Sequence, residues 1–278
     1  MCGLLQNKYK TAFVTGVSSG LGEAFARMLL KEGVKVWGSS REAGKLESLK
    51  KEFSPLFTPV VLDLAFSLDA LKAFKAAEAE AGAFDLVIQN AGYGVFGLFE
   101  TISIKDWTLQ LDQMLGVSVS LSHAAWSTFK KQNKGTLVHV SSLATEFPLP
   151  FMSGYNIVKA GLSALSESLM YEAQGSRVIM IDFRPGDYKT AFNHAVKSAH
   201  ISPTQESARL VAAWSALEKN LTEAPHPDKA ARDLRKALLR GESGSVRSGG
   251  FFQASLAPFF ARLLPKSLLR ALTASYFN

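Results

Sequence analysis

At 278 residues, 47% of them hydrophobic and 20% charged, the chain is long enough for one large α/β domain or two small ones around a sizeable core. A single cysteine, Cys2, excludes an intrachain disulfide framework and any cysteine-rich zinc site, and fits a reducing cytoplasm. The net charge of +7 would suit nucleic acid, an anionic membrane surface or a phosphorylated ligand. Much of that excess is local, since no Asp or Glu follows Glu242 while Arg247, Arg262, Lys266 and Arg270 do. No zinc-finger spacing, RNA-binding signature or helix-turn-helix pattern accompanies it, so nucleic acid is not expected as a partner. The opening MCGLLQNKYK lacks an apolar core and a cleavage pattern, so no secretory signal is expected, and no uncharged apolar run reaches bilayer-spanning length.

In chain order, TAFVTG (11–16) reads as a buried strand and GEAFARMLLKEG (22–33) as a helix closed by Gly33. VKVWGSS (34–40) is a second strand, EAGKLESLKKEF (42–53) a helix, and FTPVVLDL (57–64) a third strand whose pairing Pro59 should confine. A helix over 67–82 begins at a Ser67 cap, FDLVIQNAG (84–92) is a fourth strand, and a long helix runs from about Asp106 to Lys131. TLVHVSS (136–142) is the fifth strand, the helix carrying Tyr155 follows, and RVIMIDF (177–183) is the sixth strand. Strands alternating with helices imply right-handed βαβ units, and so an α/β fold: a doubly wound parallel sheet of Rossmann type covered on both faces. No repeat or linker interrupts the pattern, so one domain over 1–278 is expected. Past Arg184 the alternation fades into a loop and helices near 204–220 and 227–240. A helical, amphipathic extension over 251–278, split by Pro265, ends the chain.

TGVSSGLG (15–22) lies where the first strand turns into the first helix. Gly16, Gly20 and Gly22 allow a tight turn and close approach of a ligand to the backbone. The helix N-terminus behind them offers unpaired N–H groups and a partial positive charge, which suits a pyrophosphate. About 20 residues further on, where a carboxylate would take a ribose 2′-OH, the chain reads GSSREAG. Ser39, Ser40 and Arg41 there offer two hydroxyls and a planar cationic fork for a 2′-phosphate, which predicts NADP(H) over NAD(H); Glu42 keeps NAD(H) in view.

The spacing GxxxGxG after TG resembles the short-chain dehydrogenase/reductase family. NAG (90–92), Ser142, Tyr155-x-x-x-Lys159, and PG (185–186) with Thr190 follow in that family's order, so the resemblance covers about residues 10–190. It implies cofactor contacts from Gly16, Ser18, Ser19, Gly20, Leu21 and Gly22, from Ser40 and Arg41, and from Asp63 and Leu64, with Asp63 on the adenine amino group. It further implies contacts from Asn90, Ala91, Gly92, Pro185 and Gly186, from Thr190 to the nicotinamide carboxamide, and from Tyr155 and Lys159. Ser142, Tyr155 and Lys159 become the catalytic residues: Ser142 orients the substrate oxygen and Lys159 also bonds the nicotinamide ribose. Family members are commonly dimers or tetramers, so a homodimer or homotetramer is expected.

Tyr155 and Lys159 stand one helical turn apart on one face. A tyrosine of pKa about 10 is a poor proton acceptor at neutral pH. A neighbouring ammonium, joined by an oxidised nicotinamide, is expected to lower that value, so that the phenol exchanges a proton while the nicotinamide exchanges a hydride. One family feature is missing. Met114 in WTLQLDQMLG (107–116) stands where the family places an Asn that holds a relay water, and a thioether cannot donate. Either Ser118 or the backbone near Gly116 supports the relay instead, or proton delivery is impaired; Met114 could equally fill core.

The loops beyond the strand ends, GYGVFGLFE (92–100), LATEFPLPFMSG (143–154) and about 187–205, are rich in Phe, Leu, Met and Tyr. They predict a mostly apolar pocket for a lipid-, steroid- or retinoid-like alcohol or carbonyl, with Glu146 either on a polar substrate group or facing water. His139 and His123 read as packed residues, and His194, His200 and His226 lack metal-ligand spacing, so no metal is expected. For the extension, a lid or subunit contact is favoured over an interfacial membrane helix because Pro258 and Pro265 break it. The leading expectation is an NADP(H)-dependent oxidoreductase of the cytoplasm. The alternative is a nucleotide-binding sensor or scaffold with little turnover.

Overall fold

The structure is a computed structural model that describes residues 3–190, 192, 196–198, 205–258, 264, 265, 267, 268 and 271. Strands β1 (Thr11–Val14), β2 (Lys35–Ser40), β3 (Phe57–Val61), β4 (Leu86–Gln89), β6 (Gly135–Val140), β7 (Val178–Pro185) and β9 (Gly244–Ser248) form a seven-stranded sheet in the order β3-β2-β1-β4-β6-β7-β9. Every pairing in it is parallel. Two short strands, β5 (Val95–Phe96) and β8 (Lys197–Ser198), pair separately. The order reverses between β1 and β4, which opens a crevice at the carboxyl ends of those strands.

Side-chain alternation along the strands builds a core on each face. Val14, Val36, Ile88, Val140 and Phe183 point to one side, against α1 (Gly20–Lys31) and α8 (Pro227–Arg240). Phe13, Trp37, Val87, Leu137 and Met180 point to the other, against α3 (Ser67–Ala81), α5 (Val117–Gln132) and α6 (Ser153–Glu172). Phe13 anchors that second core, with Phe74 edge-on at 5.0 Å and Phe84 at 5.4 Å. The doubly wound sheet expected from the strand–helix alternation is therefore present.

Several local expectations are corrected. The helix expected at 42–53 divides into a 3-10 turn and α2 (Glu47–Phe53). Ser67 does not cap α3: Phe66 holds the cap position, without a side-chain bond. The long helix is interrupted, with α4 (Ile104–Leu111) joined to α5 by a π-helical turn over Asp112–Gly116. Strand β9 escaped the sequence reading because GSVRS has one apolar residue and no hydrophobic run; pairing with β7 makes it a strand. Pro59 sits on edge strand β3, the position a residue without an N–H tolerates. The helices expected near 204–220 and 227–240 are α7 (Gln205–Glu223) and α8. No described helix is long and apolar enough to cross a membrane.

His139 is fully buried in β6, with Nε2 2.8 Å from Ser122 Oγ and Nδ1 2.8 Å from Ser166 Oγ. His123, expected to be packed, is exposed on α5. Burial drives the His139 pKa down to about 4, against an opposing pull from Asp182. Above pH 6.5 the ring is neutral folded or unfolded, so its stabilisation is complete there. As pH falls below 6.5 the unfolded chain takes up a proton that the folded chain refuses until about pH 4. Denaturant unfolding should therefore show a loss of about 2 kcal/mol from this residue between pH 7 and pH 5. The loss should be absent from His139→Gln, so that it appears as the difference between the protein and the variant, and an unchanged pH slope in that variant would contradict the assignment.

Candidate active site

The site grows from the turn between β1 and α1. Gly20 takes φ +62°, and a Cβ there would meet Thr190 Cβ and Cγ2 at 3.3 Å. Gly22 is tighter still: a Cβ would lie 2.1 Å from Gly16 O and 2.5 Å from Asn90 Nδ2, so the loop closes only around hydrogen. Ser19 stands at the cap of α1 without a side-chain bond, which leaves the first-turn N–H groups for an anion. Thr15 Oγ1 accepts the N–H groups of Asn90 and Ala91 at 2.9 and 3.0 Å, and Asn90 Nδ2 donates to Thr15 O at 3.0 Å. These bonds lock the NAG turn beside the glycine loop. Thr15 was quoted in the motif, but its role shows only when β1 and β4 lie side by side.

One cavity of about 1140 Å³ runs across the carboxyl ends of the strands. It exceeds the roughly 300–1,000 Å³ usual for one small ligand, so it has room for a dinucleotide and a second molecule. Ser18, Ser19, Gly16, Gly20 and Leu21 line it, as do Ser40, Arg41, Asp63, Leu64, Asn90, Ala91, Gly92, Ser142, Tyr155, Lys159, Pro185, Gly186 and Thr190. Of the expected site residues Gly22 alone does not, since it works behind the loop. The uncapped helix end and the glycine cradle fit a pyrophosphate. At the β2 end, Ser39 Oγ takes the Gly16 N–H at 3.4 Å, which turns it to the loop and leaves Ser40 and Arg41 at the edge. Glu42 is drawn to Lys45, 2.6 Å away, and Arg41 has no hydrogen bond or ion pair among the described residues.

At the centre, Lys159 Nζ donates to Val140 O at 2.7 Å and lies 5.5 Å from the centre of the Tyr155 ring. The Ser142 hydroxyl lies near that of Tyr155 and favours its phenolate, while Ser142 Oγ donates to Pro185 O at 3.5 Å and accepts the Ala144 N–H at 3.0 Å. Ser142 sits two residues past β6, not at its last residue. Lys159 by itself does not acidify Tyr155. In the protein alone, burial pushes the phenol up to about 12, outweighing the nearby Ser142 hydroxyl, while Asp187 pushes the same way. Lys159 is itself lowered to about 8 by burial, with Asp182 resisting. The phenol is thus a proton donor at neutral pH.

Met114 is 1% exposed in the π turn, packed on Val158 and Leu162, and its Sδ accepts the Tyr93 N–H at 3.5 Å. It fills core. The Gly116 carbonyl, considered as a substitute relay, takes Ser120 Oγ at 3.0 Å, and the Ser118 carbonyl takes Ser122 Oγ at 2.7 Å. Gln113 is the side chain of this turn that borders the cavity, and no sequence signal marks it. Glu146 is partly buried and held by two arginines, Arg184 Nη1 at 3.1 Å and Arg247 Nε at 2.8 Å, both on its Oε1. From the extension, Phe252, Gln253, Ala257 and Leu264 line the cavity, while Arg262, Lys266 and Arg270 lie outside the described residues, as do His194 and His200. No group of three His, Cys, Asp or Glu side chains suits a metal among the described residues.

Residues 10–200 match the family described as short chain dehydrogenase, and the chain belongs to that family of oxidoreductases. It is 25% identical over 229 residues to the 3-ketodihydrosphingosine reductase of Bacteroides thetaiotaomicron, with 82% of each chain covered. A short-chain dehydrogenase/reductase from Burkholderia phymatum in complex with NAD superposes with a TM-score of 0.80 at 21% identity, covering 91% of this chain and 92% of that one. A short-chain dehydrogenase from Sphingobium yanoikuyae in complex with NADPH gives 0.71 at 21% identity, covering 85% and 87%. These two structures share the fold.

The cradle can be tested by adding one methyl group. Gly22→Ala should cost about 1–3 kcal/mol of stability, since backbone must move to admit it. Gly44→Ala, where nothing lies within 4 Å, should be neutral or slightly stabilising. Equal melting temperatures for the two variants would contradict the close packing.

Proposed function

We propose that this chain is an NADP(H)-dependent oxidoreductase that interconverts a carbonyl and an alcohol on a hydrophobic substrate, with Ser142, Tyr155 and Lys159 as its catalytic residues. The observation that carries this reading is the placement of the three beside the glycine loop in one cavity. Bound NADPH would supply the hydride. Ser142 orients the carbonyl oxygen through its hydroxyl. Tyr155 gives its Oη proton to that oxygen; a pKa of about 12 is no obstacle, because a forming alkoxide is a far stronger base. The ammonium of Lys159 and the Ser142 hydroxyl then stabilise the phenolate left behind. Carbonyl reduction is the direction the protonated phenol favours.

Arg41 supports NADP(H), being a guanidinium at the β2 end that borders the cavity, while the neighbouring Glu42 makes its direct ion pair with Lys45. Phe147, Leu149, Phe192, Leu217, Leu221 and Phe252 make the substrate half of the cavity apolar, and the similarity to a 3-ketodihydrosphingosine reductase points to the same substrate class. The extension, through Phe252 and Leu264 at the cavity, reads as a lid on one domain. Assembly as a homodimer or homotetramer in the cytoplasm completes the proposal.

A panel of hydrophobic ketones and aldehydes assayed with NADPH tests the activity. Tyr155→Phe should lose about 100-fold or more in kcat while still binding NADPH. The reduction rate should fall as pH rises past about 8, where Lys159 loses its charge; a rate flat to pH 10 would contradict the role given to it. Arg41→Ala should weaken NADPH binding roughly tenfold or more and leave NADH nearly unaffected. Equal loss for both cofactors would remove the argument for NADP(H).

A further inference from the structure

One group beneath the cavity is unexplained by the roles above. Asp182 is fully buried in the middle of β7, among Met180, Ile181 and Phe183. A carboxylate in such a place costs several kcal/mol unless donors and an opposite charge surround it. Here they do. Ser141 Oγ donates to Oδ1; Ser163 Oγ and Arg184 Nε each donate to Oδ2 at 2.7 Å. Arg184 Nη2 also donates to Ser163 Oγ at 2.9 Å, and its Nη1 bonds Glu146, which pairs in turn with Arg247 from β9.

The positions of the two serines make this more than a buried ion pair. Ser141 lies between Val140, whose carbonyl holds Lys159 Nζ, and Ser142, whose hydroxyl bears on the Tyr155 phenol. Ser163 is one helical turn beyond Lys159 and two beyond Tyr155, on the same face of α6. One carboxylate therefore grips, on its two oxygens, the strand end that carries the serine and the helix that carries the tyrosine and lysine. Lys159 is buried, and the charged or titratable groups set around it are Tyr155 on its own helix, His139 on β6 and Asp182 on β7. His139 is neutral at pH 7, and Asp187 bears on Tyr155 from the loop after β7.

We propose that Asp182 is the positioning residue of this site: it fixes the spacing between Ser142 and the Tyr155–Lys159 pair and, though its direct ion pair is with Arg184, adds its negative charge to the surroundings of Lys159. The inference rests on the catalytic roles proposed for those three residues. A purely structural staple would hold β7 to α6 without affecting how Lys159 titrates.

Three variants and two readouts separate these cases. Asp182→Asn keeps the shape and removes the charge; Ser141→Ala and Ser163→Ala each remove one arm and keep the charge. The readouts are the pH dependence of ketone reduction with NADPH, and the titration of Lys159 in ligand-free protein, followed by NMR of labelled lysine side chains. Asp182→Asn should lower kcat about tenfold or more with little change in KM, move the alkaline limb to lower pH and make Lys159 titrate at lower pH. The serine variants should lower kcat several-fold and leave the Lys159 titration where it was. A folded Asp182→Asn protein with an unmoved limb and an unmoved Lys159 titration overturns the proposal. Should Asp182→Asn fail to fold, the Ser141→Ala/Ser163→Ala double variant decides, and an unchanged kcat in it overturns the positioning role. Retention of activity by Tyr155→Phe would instead remove the catalytic reading itself, whatever Asp182 does.

Discussion

The hydrogen bond from Lys159 Nζ to the Val140 carbonyl, 2.7 Å long, is the joint on which the site turns. It crosses from the middle of α6 to the last residue of β6, so the helix cannot slide along the sheet without breaking a charge-assisted bond in a buried place. Around it the other contacts fall into order. Ser142 follows the strand end, Tyr155 stands one turn before the lysine, and the glycine loop faces both across the reversal of strand order. The chemistry proposed for this cleft needs three hydroxyl and amine groups within one ligand's reach, and this joint, with the Asp182 bonds to Ser141 and Ser163 beneath it, ties the helix to the strand ends that carry them.

Burial decides the resting protonation of the site. Removing Tyr155 from water disfavours its phenolate, and that effect outweighs what the neighbouring Ser142 offers, so the group waits as a proton donor. The same burial weakens the hold of Lys159 on its proton, and Asp182 opposes that loss. A site tuned in this way suits reduction, in which a donor must be ready when the substrate oxygen gains electron density. Oxidation would need the proton removed first, and would rely on the positive charge of an oxidised cofactor to help.

How much of this was legible in the chain depends on the range of the interactions concerned. The glycine loop, the alternation of apolar runs with helices and the Tyr155/Lys159 spacing are local patterns, and each appears where it was read. β9 was missed because its strand character comes from pairing with β7, a neighbour some 60 residues earlier. The π turn and Gln113 were missed because nothing in DQMLG announces an extra residue per turn. Asp182 and Arg184 drew no reading, and Glu146 was weighed only as a substrate contact or a water-facing charge, although the three join β7 and the turn after Ser142 to Ser163 of α6 and Arg247 of β9. The counterweight to Lys159 was not legible for a different reason: spacing reveals which charge is near Tyr155, but not how burial raises the phenol in the protein alone.

The most direct measurement is a crystal structure of the protein soaked with NADPH. The account requires the dinucleotide in the cavity at the ends of β1 and β4, its pyrophosphate on the N-terminus of α1, its 2′-phosphate beside Arg41, and the nicotinamide ribose within hydrogen-bonding reach of Lys159. A dinucleotide seated elsewhere, or one whose nicotinamide lies away from the Tyr155 hydroxyl, would contradict it.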